Sequence, residues 1–257
     1  MKMTYMIISS VLLFSGLSFA SPPPGVDHKA AVNIEINHQN YNFKTEPRLV
    51  EVLAPVALQQ NWYWPAAKLY RLNSSGLNSN EPEHLREKVL LQLQALQRNV
   101  KPALQQELAA LQLQIKSWKL AERILIPIDY DLARAQQPFN RRFQPGNYKL
   151  QLVSRPVTVL VWGAIEKSLT LTHSGATAVS DYLPSVMRSD FADKAYVYII
   201  QPDGRIIRAG VAAWNQQHLE AMPGAQVFIP FAESWFGADM NSLNKSILAL
   251  ALHWVVE

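Results

Sequence analysis

The sequence predicts an α+β protein with two tandem domains of one plan, a helical hairpin inserted in the first domain, and an amphipathic helix at the C-terminus. Two observations support this fold class. Short segments in which apolar and polar residues alternate, typical of half-buried strands, occur on both sides of residue 154. Residues 81–121 instead carry apolar side chains at steps of three and four, the spacing of amphipathic helices.

The first domain is predicted over residues 31–153. Apolar residues alternate with polar ones at 32–36 and again at 41–43, which predicts two strands joined by a turn. Thr45 and Pro47 then precede an apolar-periodic stretch, and a capping residue followed by proline is typical of a helix start.

The hairpin insertion at 81–121 is predicted to consist of two antiparallel helices, because Pro102 cannot continue the first one. The outer faces of both helices are rich in glutamine, so we expect a solvated arm that packs on itself and on its own domain. Segments 123–129 and 147–153 are predicted to return to strand and to complete the first sheet.

The second domain is predicted over residues 154–231. An alternating strand opens it, Thr177 can cap a short helix, and two strands flank the turn Pro202-Asp203-Gly204. Pro223-Gly224 is a second turn, before a last strand rich in apolar residues.

The C-terminal segment 232–257 can form one amphipathic helix. Its apolar face contains four residues that we regard as candidate partner-binding residues: Leu243, Ile247, Leu250 and Trp254. This face is too apolar to lie free in water. The alternatives are docking on its own domain, or contact with a protein partner or a membrane surface.

The N-terminus predicts export. Residues 1–20 have the lysine, apolar run and small-residue exit of a cleavable signal peptide, with cleavage expected after Ala20, and residues 21–30 form a proline-rich linker. The chain contains no cysteine, so neither a disulfide nor a lipid anchor is expected. The net charge of +4 comes from scattered residues, which argues against a nucleic-acid partner.

Five segments in order carry a family resemblance: Arg155 to Gly163, Asp181-Tyr182-Leu183, Tyr196 to Gly204, Ala213-Trp214-Asn215, and Pro223 to Pro230. Together they resemble the C-terminal β-grasp domain of the GfcC family, periplasmic proteins of capsule and exopolysaccharide operons. The resemblance implies two tandem β-grasp (SLBB-like) domains. It also implies a periplasmic accessory protein that binds polysaccharide or an outer-membrane polysaccharide exporter.

The strongest polar cluster in the sequence consists of Arg123, Asp129, Asp131 and Arg134. An arginine beside apolar strand residues is costly unless it is paired, so the cluster is either a structural ion pair or a ligand pocket. The resemblance matches Arg123 to an arginine that lines a cleft. Two nearby carboxylates also permit acid/base chemistry on a glycosidic bond, and a polysaccharide-modifying enzyme is therefore the alternative function.

Trp62 and Trp64 are further ligand-binding candidates, because flat aromatic rings stack on sugars and both lie beside a proline in a connector. Core packing is the ordinary alternative for each of them, as it is for Trp162, Trp214 and Trp235. No catalytic residue, metal ligand set or cofactor is predicted, since the six histidines are unclustered and no phosphate-binding glycine motif occurs. A scaffold without a ligand is the third hypothesis.

Overall fold

The structure is a computed structural model that describes residues 32–72, 81–233 and 240–256. The predicted signal peptide (1–20), the linker (21–30) and Trp235 lie outside the described residues. Within them, no helix is both long enough and apolar enough to cross a lipid bilayer.

The first domain contains a five-stranded mixed sheet. Its strands are β1 (Val32–Ile36), β2 (Gln39–Phe43), β3 (Lys68–Leu72), β4 (Glu122–Ile124) and β5 (Gly146–Gln151), arranged in the order β2-β1-β5-β3-β4. The first and last strands, β1 and β5, are parallel neighbours, and the other pairs are antiparallel. Helix α1 (Leu49–Leu53) covers one face, and it starts after Arg48, whose backbone N–H donates to the carboxylate of Glu51 at 2.6 Å, later than the predicted Thr45.

Two helices of 17 and 16 residues occupy the segment predicted for the hairpin. They are α2 (Glu81–Gln97) and α3 (Pro102–Ser117). Pro102 is the first residue of α3, a position whose backbone N–H has no partner within the helix, so the N–H that proline lacks is not missed. The first domain then continues through β4, the short helix α4 (Tyr130–Ala135), and β5.

The second domain repeats the strand order of the first. Helix α5 (Val179–Tyr182) follows its first hairpin, and the sheet order is β7-β6-β10-β8-β9. The strands are β6 (Thr158–Gly163), β7 (Leu169–Thr172), β8 (Tyr196–Ile200), β9 (Ile206–Gly210) and β10 (Gln226–Ile229). Again the first and last strands, β6 and β10, are parallel neighbours in mid-sheet. All four residues of β10 are buried, so both faces of this sheet are covered.

The hairpin packs on the second domain, although it is inserted in the sequence of the first. One hydrophobic core joins the second sheet to six hairpin residues: Val89, Leu93, Leu104, Leu108, Leu111 and Ile115. Side-chain hydrogen bonds join Gln92 to Ser242 (3.3 Å) and Gln114 to Ser168 (3.1 Å). The expectation of an arm that packs on itself and on its own domain was therefore incomplete. The apolar residues of the hairpin also cover the apolar core of the second domain.

The C-terminal helix is shorter than predicted and lies inside this core. Helix α6 (Met240–Ala251) ends before Trp254, and the following residues pair with the segment that leaves the hairpin. Ala121 donates its backbone N–H to the carbonyl of His253, and Val255 donates to Lys119, at 3.0 and 2.9 Å. Trp254 therefore lies on an extended tail and not on the helix face where the periodicity placed it.

Candidate functional site

A cleft with polar side chains on one wall lies between the two domains. The outer face of the first sheet carries polar side chains, because strand alternation sends Leu69 and Leu150 to the core and Lys68, Tyr70 and Gln151 the other way. The cleft encloses about 250 Å³. Lys68 and Gln151 line it from the first domain, and it is closed by the turn at Pro202, the start of β10 and Val256 of the tail.

Lys68 and Gln151 are directly opposite each other in the pairing of β3 with β5. Burial, reinforced by the nearby positive charge of Arg123, lowers the pKa of Lys68 to about 8. The Oε1 atom of Gln151 is buried and has no hydrogen-bond partner among the residues that the structure describes. A buried acceptor without a donor is costly, so this side of the cleft is suited to a ligand that supplies a donor.

Tyr70 is next along the same strand face and is paired in register with Arg123 on β4. Its side chain is 1% exposed, and its hydroxyl is buried without a hydrogen-bond partner in the described part of the chain. Burial raises the pKa of Tyr70 to about 12, although the positive charge of Arg123 acts in the opposite direction. The hydroxyl is therefore neutral at physiological pH and can both donate and accept.

Arg123 joins the two domains. Its guanidinium donates to the carbonyl oxygen of Pro202, and its backbone N–H donates to Nδ1 of His253 at 3.1 Å. Burial lowers the pKa of Arg123, while Tyr70 and Asp203 act to raise it. The arginine stays charged, as guanidinium does in proteins. It thus holds the second domain's turn over the cleft and supplies positive charge behind Lys68.

The turn at Pro202-Asp203-Gly204, which Arg123 contacts, packs closely against the first domain. Gly204 has φ +92°, which L side chains rarely adopt, and a β-carbon there would lie 2.5 Å from Cδ2 of Leu125. Asp203 accepts from the backbone N–H and Nε of Arg205 at 3.0 and 2.7 Å, which braces the turn. The strong turn signal in the sequence therefore also marks a contact between the domains.

The other members of the predicted arginine–aspartate cluster lie elsewhere. Asp129 caps α4, because its carboxylate accepts the backbone N–H of Leu132 at 2.8 Å. Asp131 and Arg134 form a solvent-exposed pair 3.9 Å apart. The strand predicted for 123–129 ends at Ile124. The structure therefore separates Arg123 from both aspartates, and neither carboxylate lines the cleft.

Trp62 and Trp64 are half-buried and pack on the first core, and Nε1 of Trp62 donates to the carbonyl of Val56 at 2.8 Å. This favours core packing for both over a sugar platform. Trp162 is fully buried. Among the described residues the exposed tryptophan is Trp214, which lies in one of the segments that carried the family resemblance and for which core packing was the ordinary expectation.

The candidate partner-binding face of the C-terminal helix is internal. Leu243 is 1% exposed, Ile247 and Leu250 are fully buried, and Trp254 is half-buried in an aromatic cluster. Self-docking, one of the two alternatives drawn from the sequence, is the arrangement observed. Sequence reasoning did not single out Lys68, Tyr70 and Gln151. Lys68 and Tyr70 lie on β3 and Gln151 lies on β5, and these two strands are far apart in the chain.

The fold and the cleft define a class of two-domain proteins. Their two sheets have the same strand order, and the cleft between them contains the side chain of Lys68. The chain belongs to the GfcC capsule biosynthesis family. Residues 28–155 match the family described as "Capsule biosynthesis GfcC, N-terminal", and residues 167–253 match "Capsule biosynthesis GfcC C-terminal". Family membership suggests a role in capsule biosynthesis.

The chain is also similar to a protein of Escherichia coli (strain K12) named "Uncharacterized protein YjbG". The two are 34% identical over 139 residues, which is 54% of this chain and 56% of that protein. The match thus spans about half the length of this relative.

Proposed function

We propose that this protein is a periplasmic accessory protein of capsule or exopolysaccharide assembly or export, which binds an anionic, hydroxyl-bearing part of the polysaccharide in the interdomain cleft. The observation that carries the proposal is a pair of buried polar atoms, Tyr70 Oη and Gln151 Oε1, that have no hydrogen-bond partner among the described residues. Gln151 lines the cleft beside Lys68, and Tyr70 lies behind it, two residues along the strand from Lys68 and in register with Arg123. In the proposal a sugar hydroxyl satisfies Gln151 Oε1, a group that enters more deeply satisfies Tyr70 Oη, and the positive charges of Lys68 and Arg123 attract a carboxylate or phosphate.

The sheet topology supports a finer description of the fold. In each domain the first and last strands are parallel in mid-sheet, with an antiparallel hairpin on either side and a short helix after the first hairpin. We propose on this basis that both are β-grasp domains of the SLBB-like kind. An outer-membrane polysaccharide exporter remains the proposed protein partner.

Binding of surface polysaccharide purified from the source cells tests the site. Lys68→Met should weaken binding at least fivefold, because it keeps most of the side-chain volume and removes the charge. Lys44→Met is the matched control, since Lys44 is exposed directly after β2, the strand at the opposite edge of the same sheet. Equal affinity of Lys68→Met and the unmodified protein would refute the proposed site.

Arg123→Ala tests the link between the cleft and polymer output in cells. It removes the hydrogen bond that holds the turn at Pro202. We expect the amount of surface polysaccharide to fall further than the loss of folded protein, measured by thermal melting, would explain. Arg123→Lys keeps the charge and loses the planar fork, and it separates the two contributions. A fall in melting temperature that accounts for the whole loss of output would make Arg123 a structural residue only.

Export is tested by the intact mass of the protein recovered from the periplasm. The proposal expects a chain that begins at Ser21. A full-length chain in the membrane fraction contradicts it. The alternative function, a polysaccharide-modifying enzyme that uses Arg123, Asp129 and Asp131, has less support because Asp129 is occupied in capping a helix.

A further inference from the structure

A tryptophan is held in solvent on a braced turn at the far end of β9. Trp214 is 75% exposed. In the described part of the chain the other tryptophans are buried or half-buried. The flat apolar face of Trp214 is therefore open to a ligand.

The turn around Trp214 is tied to the start of β8. Asn215 accepts the backbone N–H of Ala212 at 3.0 Å and donates from Nδ2 to the carbonyl of Ala195 at 3.1 Å. Val211 also donates to Ala195, at 2.8 Å. Gly210 fits closely beneath, since a β-carbon there would lie 2.1 Å from the carbonyl oxygen of Asn215. The indole is therefore preorganised, which lowers the entropic cost of binding to it.

Trp214 has a cationic neighbourhood. Its ring meets the edge of Tyr196 at a centroid distance of 6.3 Å and an angle of 88°. The guanidinium carbon of Arg208 lies 3.5 Å from the centroid of the same tyrosine ring. Arg208 is exposed, and among residues 32–72, 81–233 and 240–256 its guanidinium has no hydrogen-bond acceptor or carboxylate partner. Tyr196 thus orients an arginine whose N–H groups are free for a ligand.

We infer that Trp214, Tyr196 and Arg208 form a saccharide-stacking platform that takes a sugar ring on the indole and a carboxylate-bearing sugar at the arginine. A pyranose ring needs one flat aromatic face and adjacent polar groups, which this platform offers. A protein partner needs a broad contact surface. On the neighbouring strand β9 the large exposed apolar residue is Ile206, and it is only 37% exposed. An acidic polysaccharide is therefore the ligand that the surface fits.

The platform and the cleft lie at opposite ends of β9. The five residues of that strand span roughly 16 Å, with the turn at Pro202 before them and the turn at Trp214 after them. One extended polymer chain can contact both. The inference rests on the proposed function and adds a second contact for the same class of ligand.

The experiment compares two forms of the polysaccharide purified from the source cells: the native polymer and the same polymer after chemical reduction of its carboxyl groups. Trp214→Ala should weaken binding of both forms at least tenfold, and Trp214→Tyr should restore most of it. Arg208→Gln should lower the affinity for the native polymer at least threefold and leave the affinity for the reduced polymer unchanged, because Lys68 in the cleft still attracts the native polymer's other carboxylates. Leu91→Ala, a change at an apolar residue on α2 that is 65% exposed, is the control and should change neither.

Each result decides between the two sites. If Lys68→Met weakens binding and Trp214→Ala does not, the platform is refuted and the cleft stands. If Trp214→Ala weakens binding and Lys68→Met does not, the platform stands and the proposed cleft fails. Unchanged polymer binding by Trp214→Ala, with loss of a cross-link to another envelope protein, would also overturn the inference in favour of a protein contact.

Discussion

Trp118 and Trp254 stack face to face, with ring centroids 4.4 Å apart and ring planes 7° from parallel. Trp118 directly follows α3 of the inserted hairpin, and Trp254 belongs to the tail after α6. Both rings meet Trp162 of the second sheet edge-on, at 5.2 and 5.9 Å. One aromatic cluster therefore fastens the hairpin and the tail to the second domain.

Trp254→Ala is expected to lower the free energy of unfolding by about 3 kcal/mol, at the lower end of the range for large aromatic truncations because the ring is half-buried. Urea denaturation measures the change. Trp254→Phe keeps a stacking ring and should recover at least half of the loss. A change of less than about 1 kcal/mol for the alanine variant would contradict the role of the stack.

Truncation before Leu243 is expected to lower the melting temperature by many degrees, because it uncovers the apolar core that α6 shares with the hairpin. The full-length protein should be monomeric and should not bind detergent micelles. Unchanged melting together with micelle binding by the full-length chain would restore the partner-binding hypothesis.

Deletion of residues 81–117 is expected to destabilise the second domain more than the first. The deletion removes the residues that cover one side of the second core, including Leu104, Leu108 and Ile115. Binding of a hydrophobic dye and loss of a cooperative thermal transition would report the exposed core. A deletion variant that melts cooperatively near the original temperature would show that the hairpin is dispensable for folding.

Tyr70→Phe is expected to raise the free energy of unfolding by about 1 kcal/mol while weakening polysaccharide binding. The variant removes a buried hydroxyl that has no partner within residues 32–72, 81–233 and 240–256 but would gain one from the ligand. Thermal melting and a binding titration on the same samples measure the two effects. A variant that is less stable, or that binds as well as the original, contradicts the assignment. Tyr41→Phe, at a half-buried tyrosine on edge strand β2, is a matched control.

Polysaccharide affinity is expected to fall as the pH rises through about 8, the pKa to which burial lowers Lys68. Below about pH 7 the amine is almost fully protonated and attracts the anionic ligand, and affinity should be flat. Between pH 7 and pH 9 the protonated fraction falls about tenfold, and so should the affinity. Calorimetric titrations across this range measure the slope.

The Lys68→Met variant should show no such pH slope. The stability of the unliganded protein supplies an independent check with the opposite sign. Because the pKa of Lys68 is lower in the folded state than its ordinary value of 10.5, the unfolded state holds the proton more tightly. Stability should therefore rise with pH between about 8 and 10.5, and a decrease caused by Lys68 across that window would contradict the assignment.

The sequence by itself determined the local elements and the fold class. The alternation at Val32 to Ile36, the three-and-four spacing on either side of Pro102, and the turn at Pro202-Asp203-Gly204 each report a local periodicity or backbone preference. All three elements are present in the structure. The order of such segments also carried the family resemblance.

The tertiary structure alone decided what each polar or aromatic residue does. An apolar stripe shows that a helix must be covered, but not by what, so the hairpin's cover could not be read from its own residues. Likewise Asp129 was free to pair with Arg123 or to cap α4, and a local backbone N–H decided the matter. Lys68, Gln151 and Arg123 meet because distant strands pair and a second domain closes over them. Burial and unpartnered atoms are properties of that meeting, and no single segment of the chain encodes them.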